Sequence, residues 1–242
     1  MTKEKAILEG KTIVITGGGS GLGYAWTEGF LAAGARVFVA DINPEGIETL
    51  AAKGAVPIVA DVADRKAVGE MVSRAVEETG RIDVLFNNAG LGFRCRIEDL
   101  EEEQFERHVA VHLFGTVSGM KFAIPHMRKQ GYGRIINTIS RASEFADPIK
   151  SAYAAAKAAI WCTTRSVALE VADTDILINM LIPGPTNTAI FRRDMPHLQK
   201  AEVTFPTARM LATLPTGGPA GKVFWNEKEY HMFARENQRA AK

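Results

Sequence analysis

The chain alternates short apolar runs with longer stretches in which apolar residues recur every three or four positions. The short runs are rich in valine and isoleucine and are apolar on both faces, which is typical of strands in a parallel sheet covered on both sides. The longer stretches have the spacing of amphipathic helices. We predict strands at 12–16, 36–40, 56–60, 82–86, 134–139, 176–182 and 222–225, and helices at 21–33, 44–53, 65–79, 103–129, 151–171 and 205–214.

The regular order of strand, helix and strand predicts an α/β fold with a doubly wound parallel sheet of about seven strands and helices on both faces. We find no linker, internal repeat or low-complexity tract, so residues 1–242 are expected to form a single domain. The segment at about 184–218 is rich in proline, threonine and arginine and lacks clear periodicity. Irregular segments of this length are usually functional, so we interpret it as a substrate loop; a surface loop without a role is the alternative.

Charge and composition exclude several classes of protein. The 29 Lys and Arg nearly balance the 28 Asp and Glu, so the basic bias of a nucleic-acid-binding surface is absent. The charged N-terminus has no signal-peptide pattern, and no apolar run is long enough to span a bilayer, so we expect a cytoplasmic protein without a membrane partner. Cys95 and Cys162 are too few for a disulfide framework, and neither they nor the five scattered histidines have metal-ligand spacing.

A glycine-rich turn joins the first predicted strand to the first predicted helix, in the sequence "TIVITGGGSGLG". Gly17, Gly21 and Gly23 permit a tight turn and a close approach of the backbone to a ligand. The free N–H groups at the start of the helix would bind a pyrophosphate, beside Ser20 and Leu22 of the same turn. Many tight turns contain glycine, but the position between a strand and a helix favours a dinucleotide.

Asp41 ends the second predicted strand, where an acidic side chain can accept hydrogen bonds from the adenosine ribose and repel a 2′-phosphate. The next residue is Ile42, and the glycine turn contains no Lys or Arg, so we predict NAD rather than NADP. The alternative is that Asp41 caps the following helix, although Asn43 before Pro44 is the better cap.

Two further strand ends carry candidate cofactor residues. Asp61 and Val62 follow the third strand, where an adenine edge could be read. The fourth strand ends in "NNAG", residues 87–90. Its two asparagines could form an ordinary turn, or they could hold the edge of the sheet together beneath the cofactor.

Five motifs follow one another along the chain: "TGGGSGLG" (16–23), "NNAG" (87–90), Ser140, "YAAAK" (153–157) and "PGPTNT" (183–188). In this order and spacing they resemble the classical short-chain dehydrogenase/reductase family, over roughly residues 9–226. The resemblance implies a Rossmann-type domain that binds a nicotinamide cofactor and transfers hydride to or from a carbinol or carbonyl carbon. It further implies two groups of cofactor contacts, Asn88, Ala89 and Gly90 along the dinucleotide and Ile182, Pro183, Gly184, Thr186 and Thr188 at the nicotinamide end.

The tyrosine and lysine of "YAAAK" lie one helical turn apart, so the charge of the lysine can act on the tyrosine hydroxyl. The ammonium of Lys157 and the positive nicotinamide ring would favour the phenolate of Tyr153 and move its pKa toward neutrality. We therefore predict Tyr153 as the general acid/base, Lys157 as its activator and a ribose ligand, and Ser140 as a hydrogen-bond donor to the substrate oxygen. Taken alone, such a pair is also common on ordinary helix surfaces.

The sequence departs from the family at "VHLFG", where His112 replaces the usual asparagine of a proton relay. Histidine can donate and accept a proton near neutral pH, so we expect a modified relay. The alternative is a buried histidine satisfied by backbone groups, in a slower enzyme or in a catalytically silent protein that senses NAD or serves as a scaffold. A nucleotide-sugar dehydratase or epimerase is less favoured, because such relatives generally have a longer C-terminal part.

The residues after "NNAG", after Ser140 and after Thr188 are expected to face a small-molecule alcohol or ketone. Either arginine among them could pair with an anionic group of the substrate, or instead with Glu144, Asp147 or water. The substrate-binding candidates are Arg94, Arg141, Phe145 and Phe191, with Phe93 and Met195 beside them.

The resemblance also implies a homodimer or homotetramer. The helices at 103–129 and 151–171 are its expected assembly surface, with Met120 and Trp161 as candidates for either assembly contacts or ordinary core packing. The C-terminal sequence departs from the common ending of the family, which leaves assembly through the last strand open.

Overall fold

The computed structural model describes residues 7–92, 94–145, 147–191, 194–234 and 237; Phe93 lies outside these residues. Within them, eight strands form one sheet in the spatial order β3-β2-β1-β4-β5-β6-β7-β8. All neighbours are parallel up to β7, and β8 is antiparallel to β7. The strands are β1 (Thr12–Thr16), β2 (Arg36–Asp41), β3 (Val56–Val59), β4 (Val84–Asn87), β5 (Gly133–Thr138), β6 (Ile176–Leu181), β7 (Val223–Trp225) and β8 (Lys228–Glu229).

Helices cover both faces of the sheet, as the apolar pattern predicts. Core residues of α3, α5 and α6 pack on one face, and those of α1 and α7 pack on the other. The α-helices are α1 (Gly21–Ala32), α2 (Pro44–Ala51), α3 (Arg65–Thr79), α4 (Glu102–His108), α5 (Gly115–Gln130), α6 (Ser151–Glu170) and α7 (Phe205–Ala212). The prediction of a Rossmann-type doubly wound α/β fold is confirmed.

The predicted number of strands, about seven, was too low by one. The additional strand β8 contains only two residues and lies in a polar stretch that has no strand pattern. It forms because Asn226 and Glu227 both adopt positive φ angles, 49° and 61°, which turns the chain back along β7. Two consecutive residues of this kind are the requirement of a tight hairpin.

The predicted helix at 103–129 is helical throughout but is not α-helical over its whole length. A π-helical segment, Val109–Phe114, separates α4 from α5 and contains His112. The amphipathic pattern alone does not distinguish a widened turn from an α-helical one. Such segments occur frequently at functional sites, and this one carries its histidine toward the carboxyl ends of the strands.

The two candidates for assembly contacts have partners within the chain. Met120 is 2% exposed and belongs to the core beneath the sheet. Trp161 packs against the ring of Phe233, with centroids 5.1 Å apart. In the described part of the chain, no helix is long and apolar enough to cross a membrane. Cys95 and Cys162 are free thiols.

Candidate active site

A cavity of about 1020 Å³ opens at the carboxyl ends of the central strands. The strand order changes direction between β1 and β4, and ligands of open α/β sheets bind at such a switch point. The cavity begins at the glycine turn after β1 and extends along the ends of β4, β5 and β6 to the segment after β6. Its volume is at the upper end of the roughly 300–1,000 Å³ usual for small-molecule sites.

The glycine turn is shaped to leave the start of α1 open to the cavity. Gly17 has a φ of 66°, and a Cβ there would lie 2.6 Å from the Cα of Ala89. A Cβ on Gly23 would lie 2.3 Å from the carbonyl oxygen of Gly17, so Gly23 packs beneath the turn rather than in the cavity. The turn and the first turn of α1 therefore form a cradle that fits a pyrophosphate.

Asp41 is fixed at the rim of this cradle by two hydrogen bonds. Its Oδ2 accepts from the backbone N–H of Gly19 at 2.8 Å, and its Oδ1 accepts from the N–H of Asn43 at 2.9 Å. Asn43 is the residue that caps α2, since its side chain accepts from the N–H of Glu45 at 3.1 Å. The carboxylate of Asp41 lines the cavity beside the glycine turn, where it can meet a ribose.

The two asparagines of "NNAG" join neighbouring strands. The side-chain amide of Asn87 donates to the Oδ1 of Asn137 at 2.8 Å, which links β4 to β5. The amide of Asn88 donates to the carbonyl oxygens of Thr16 and Gly17 at 3.0 and 3.2 Å, which links β4 to the glycine turn. Of the two readings of this motif, the geometry is that of a brace at the sheet edge.

Tyr153, Lys157 and Ser140 meet at one wall of the cavity. The first two lie on α6 one turn apart, and Ser140 follows β5 as the N-cap of a 3₁₀ turn, Arg141–Ser143. Ser140 lies close enough to the Tyr153 phenol to lower the pKa of that group. The Nζ of Lys157 donates to the carbonyl oxygen of Thr138 at 2.7 Å and lies 5.8 Å from the centroid of the Tyr153 ring.

Burial dominates the proton affinities of this group. It raises the pKa of the Tyr153 phenol, an effect that the neighbouring Ser140 hydroxyl partly offsets. It lowers the pKa of Lys157, which is 4% exposed, from 10.5 to about 7. The protein by itself thus holds a protonated phenol. The phenolate predicted from the sequence depends in addition on the positive charge of a bound nicotinamide.

His112 lies behind this group. Its ring meets the Tyr153 ring edge-on, with centroids 5.3 Å apart. The Nε2 of His112 lies 2.9 Å from the carbonyl oxygen of Leu91, while its buried Nδ1 has no hydrogen-bond partner among the described residues. Burial, followed by the charge of Lys157, holds the pKa of His112 well below 6.5, so the ring is neutral.

On the substrate side, the two predicted arginines differ. Arg94 is exposed, whereas the guanidinium of Arg141 lies over the ring of Phe145 at 4.5 Å and over that of Trp225 at 5.4 Å. Within the described residues, neither arginine forms an ion pair with Glu144 or Asp147. Asp147 pairs with Lys150, and Glu144 accepts from the Tyr230 hydroxyl and from the backbone N–H of Phe233.

Most of the predicted site residues line this cavity. They are Gly17, Ser20, Gly21, Leu22, Asp41, Asn88, Gly90, Arg94, His112, Ser140, Arg141, Phe145, Tyr153, Lys157, Ile182, Pro183, Gly184, Thr186, Thr188, Phe191 and Met195.

Other predicted cofactor residues lie away from the cavity wall. Ile42 is 60% exposed, Val62 is buried against Gly115, and Ala89 packs against Gly17. Asp61 forms an ion pair of 2.9 Å with Arg107 of α4.

Several residues that line the cavity were not predicted from the sequence. Two of them, Thr138 and Ile139, are the last residue of β5 and the residue after it, and a systematic inspection of every strand end would have found them. The others are Gly92, Ala142, Asp147, Pro148, Lys150, Pro185, Ala189 and Ile190, which lie in irregular segments without a recognisable pattern.

Known proteins resemble the chain in sequence and in structure. A model of the family described as short chain dehydrogenase matches residues 11–199. D-beta-hydroxybutyrate dehydrogenase of Rhizobium meliloti (strain 1021) is 37% identical over 194 residues, which are 77% of this chain and 75% of that protein. FabG of Thermotoga maritima, a 3-oxoacyl-(acyl-carrier-protein) reductase, is 37% identical over 183 residues, 73% and 74% of the two chains.

Solved structures give the same result. The crystal structure of 3-ketoacyl-(acyl-carrier-protein) reductase from Brucella melitensis complexed with NADH has a TM-score of 0.84 and 28% identity, and the match covers 89% of this chain and 96% of that one. Levodione reductase has a TM-score of 0.83 at 28% identity, covering 89% and 95%.

Proposed function

The chain belongs to the short-chain dehydrogenase family and is an oxidoreductase that uses a nicotinamide cofactor, and from this premise we propose that it transfers hydride between NAD(H) and a secondary alcohol or ketone. The observation that carries the proposal is the meeting of Ser140, Tyr153 and Lys157 with the glycine turn in one cavity. A hydroxyl, a phenol and an ammonium beside a dinucleotide cradle are the groups that alcohol oxidation requires.

The residues that would hold the dinucleotide line the cavity in the same order as the parts of the cofactor. The N–H groups of the glycine turn and α1 suit the pyrophosphate, and Asp41 suits the adenosine ribose. Lys157 and the residues from Pro183 to Thr188 line the other half, where the nicotinamide end would bind. When bound, the nicotinamide supplies or accepts the hydride.

Side chains of the protein transfer the proton of the substrate hydroxyl. In the direction of oxidation, Tyr153 takes the proton of the substrate hydroxyl, and in reduction it returns the proton to the carbonyl oxygen. Ser140 donates a hydrogen bond to that oxygen as negative charge develops on it. Lys157 keeps its position through the carbonyl oxygen of Thr138 and stabilises the phenolate by its charge.

His112 is the proposed end of a proton relay. Its buried Nδ1 is unpartnered among the described residues and accepts a hydrogen bond in the tautomer whose Nε2 donates to the carbonyl oxygen of Leu91. The charge of Lys157 contributes to its lowered pKa. A water between the two side chains would satisfy the histidine nitrogen and connect the lysine to the exterior. The backbone contact of Nε2 with Leu91 fixes the ring for this role.

A preference for NAD over NADP rests on Asp41. Its carboxylate is anchored by Gly19 and Asn43, so it cannot turn away from an incoming 2′-phosphate without losing both hydrogen bonds. A fixed negative charge at this point repels a phosphate and accepts from ribose hydroxyls. The NADH complex of the Brucella melitensis relative supports a nicotinamide cofactor of either kind.

The test is cofactor reduction, followed by absorbance, across a panel of secondary alcohols with wild type and Tyr153→Phe. We expect wild type to reduce NAD with some of the alcohols, and the variant to lose activity by at least about 10²-fold because its general base is gone. Calorimetry should find NAD bound nearly equally by both proteins. Wild-type turnover by Tyr153→Phe would refute the role of the phenol, and tight NAD binding without any turnover would favour the silent sensor.

A further inference from the structure

The geometry points to Arg141 as an anion-binding residue: we propose that the substrate of this enzyme carries a carboxylate besides its hydroxyl or keto group, and that the Arg141 guanidinium binds it. This inference rests on the proposed function and specifies its substrate class.

Arg141 is placed at the reacting end of the cavity. It directly follows Ser140 and begins the 3₁₀ turn Arg141–Ser143, and both residues line the cavity. A substrate whose oxygen meets the Ser140 hydroxyl therefore has Arg141 beside it. The side chains on the far side of the cavity, at the glycine turn, belong to the dinucleotide half.

The guanidinium of Arg141 lies over two aromatic rings. Its Cζ lies 4.5 Å from the ring centroid of Phe145 and 5.4 Å from that of Trp225. Stacking of this kind stabilises the cation and restricts its orientation. A flat guanidinium held in advance loses less freedom when it forms two parallel hydrogen bonds to a carboxylate.

The charge of Arg141 has no carboxylate of its own among the described residues. Glu144, three positions on, uses its two oxygens for the Tyr230 hydroxyl and the Phe233 N–H. The partner of Arg141 is instead the Tyr230 phenol, whose pKa is raised to about 12, first by burial and then by Glu144, so that it stays neutral.

The hydrogen-bonding capacity of Arg141 is also incompletely used. Its Nε is buried and has no hydrogen-bond partner in the described part of the chain. The buried Nε is closed to a ligand, so a substrate carboxylate would bind the terminal nitrogens of the guanidinium. Its charge would offset the cost of a partly buried cation without an ion pair.

The other described cations of the cavity are less suited to this role, and Lys157 already has a proposed role beside the phenol and the cofactor ribose. Lys150 is paired with Asp147, and Arg94 is exposed, where water screens its charge. Arg141 is the cation that combines a position next to Ser140 with partial burial and aromatic support.

The experiment compares a homologous series of hydroxy carboxylic acids with their methyl esters. We expect wild type to prefer the acid at the chain length that spans from Ser140 to Arg141. Arg141→Gln should reduce the acid-to-ester ratio of kcat/KM by about 10- to 100-fold, mainly through the KM of the acid, because a charged hydrogen bond is lost. Arg141→Lys should recover part of the ratio, since lysine keeps the positive charge but cannot form two parallel hydrogen bonds to a carboxylate.

Two further variants test whether the change in the acid-to-ester ratio is specific to Arg141. Arg165→Gln removes an exposed arginine that stacks on Trp161 outside the cavity, and it should leave the ratio unchanged. Arg94→Gln should reduce it by less than Arg141→Gln does. Equal kcat/KM for acid and ester in the wild type, or an unchanged ratio in Arg141→Gln, would overturn the inference while leaving the dehydrogenase intact.

A binding measurement separates this inference from the proposed function and from a folding defect. Calorimetry of the NAD-loaded wild type with butyrate and with butyramide requires neither turnover nor a variant. Tighter binding of butyrate supports a carboxylate site even if no alcohol is oxidised. Equal binding of the two probes contradicts it, whatever the activity.

Discussion

The ammonium of Lys157 donates a 2.7 Å hydrogen bond to the backbone carbonyl oxygen of Thr138, the last residue of β5. This bond links the middle of α6 to the end of the central sheet and holds a nearly fully buried amine at the cavity wall. The amine has no carboxylate partner among the described residues, and its burial lowers its pKa to about 7.

Stability should therefore depend on pH through Lys157. Between pH 7 and 10.5 the unfolded chain binds more protons at this residue than the folded one, so the free energy of unfolding rises with pH, by up to about 1.4 kcal/mol per pH unit. Below pH 7 both states are protonated and the cost of burying the charge is fully present. Urea unfolding of the cofactor-free protein at pH 7, 8 and 9 measures this slope, and Lys157→Met should lower it by up to that amount. Equal slopes in the two proteins would show that the amine is not desolvated.

His112→Asn tests the proton relay. We expect the variant to fold and to bind NAD, and its kcat to fall by less than the roughly 10²-fold loss of a direct acid/base residue, with an altered pH profile. His126→Asn on α5 makes the same exchange outside the cavity and serves as the control. The relay fails as an idea if His112→Asn leaves both turnover and its pH dependence as in the wild type.

Asp41→Ser should change the choice of cofactor. The serine removes the fixed negative charge, so NADP binding should tighten and NAD binding should weaken, the latter by about tenfold for the loss of a charged acceptor. Titration of both dinucleotides by intrinsic fluorescence gives the two dissociation constants. Glu48→Gln, a neutralisation on α2 away from the cavity, should leave both as they are. An unchanged ratio in Asp41→Ser would remove the basis for the NAD preference.

Asn137→Ala should destabilise the fold beneath the site. Asn137 is fully buried, accepts from Asn87, and donates to the Thr164 hydroxyl at 2.9 Å. Its truncation leaves the Asn87 amide without an acceptor, for which we expect a loss of about 2–3 kcal/mol in urea unfolding. Thr164→Val, which removes a single hydroxyl from the same cluster, should cost less. Comparable losses in the two variants would mean that Asn137 is not the centre of this network.

The fold was largely predictable because its signals are local. Apolar runs such as 12–16 and 36–40 needed only their two-sided hydrophobicity, and both coincide with observed strands to within one residue. The π-helical segment at Val109–Phe114 and the strand β8 were not predictable. The first depends on how a turn packs against its neighbours, and the second on two backbone angles that a polar sequence does not specify.

The site was predictable where a motif fixes the backbone and less so elsewhere. Asp41 and Tyr153 line the cavity because strand ends and helix faces determine where side chains point. Asp61 was harder to judge, since its partner Arg107 comes from α4, far along the sequence. The neutral contact between Arg141 and Tyr230 depends in the same way on the C-terminal segment. The roles of these residues, and a dimeric or tetrameric assembly, stay predictions.

The short strand β8 has a consequence for how molecules meet. It hydrogen-bonds along the outer side of β7, where Phe224 faces Glu229 and Trp225 faces Lys228, and the N–H of Tyr230 reaches the carbonyl oxygen of Val223 at 2.8 Å. At the opposite margin, Pro57 removes a donor from β3. Both edges of the sheet are thus poorly suited to pair with the edge strand of another molecule. At high protein concentration this should disfavour aggregation into fibres.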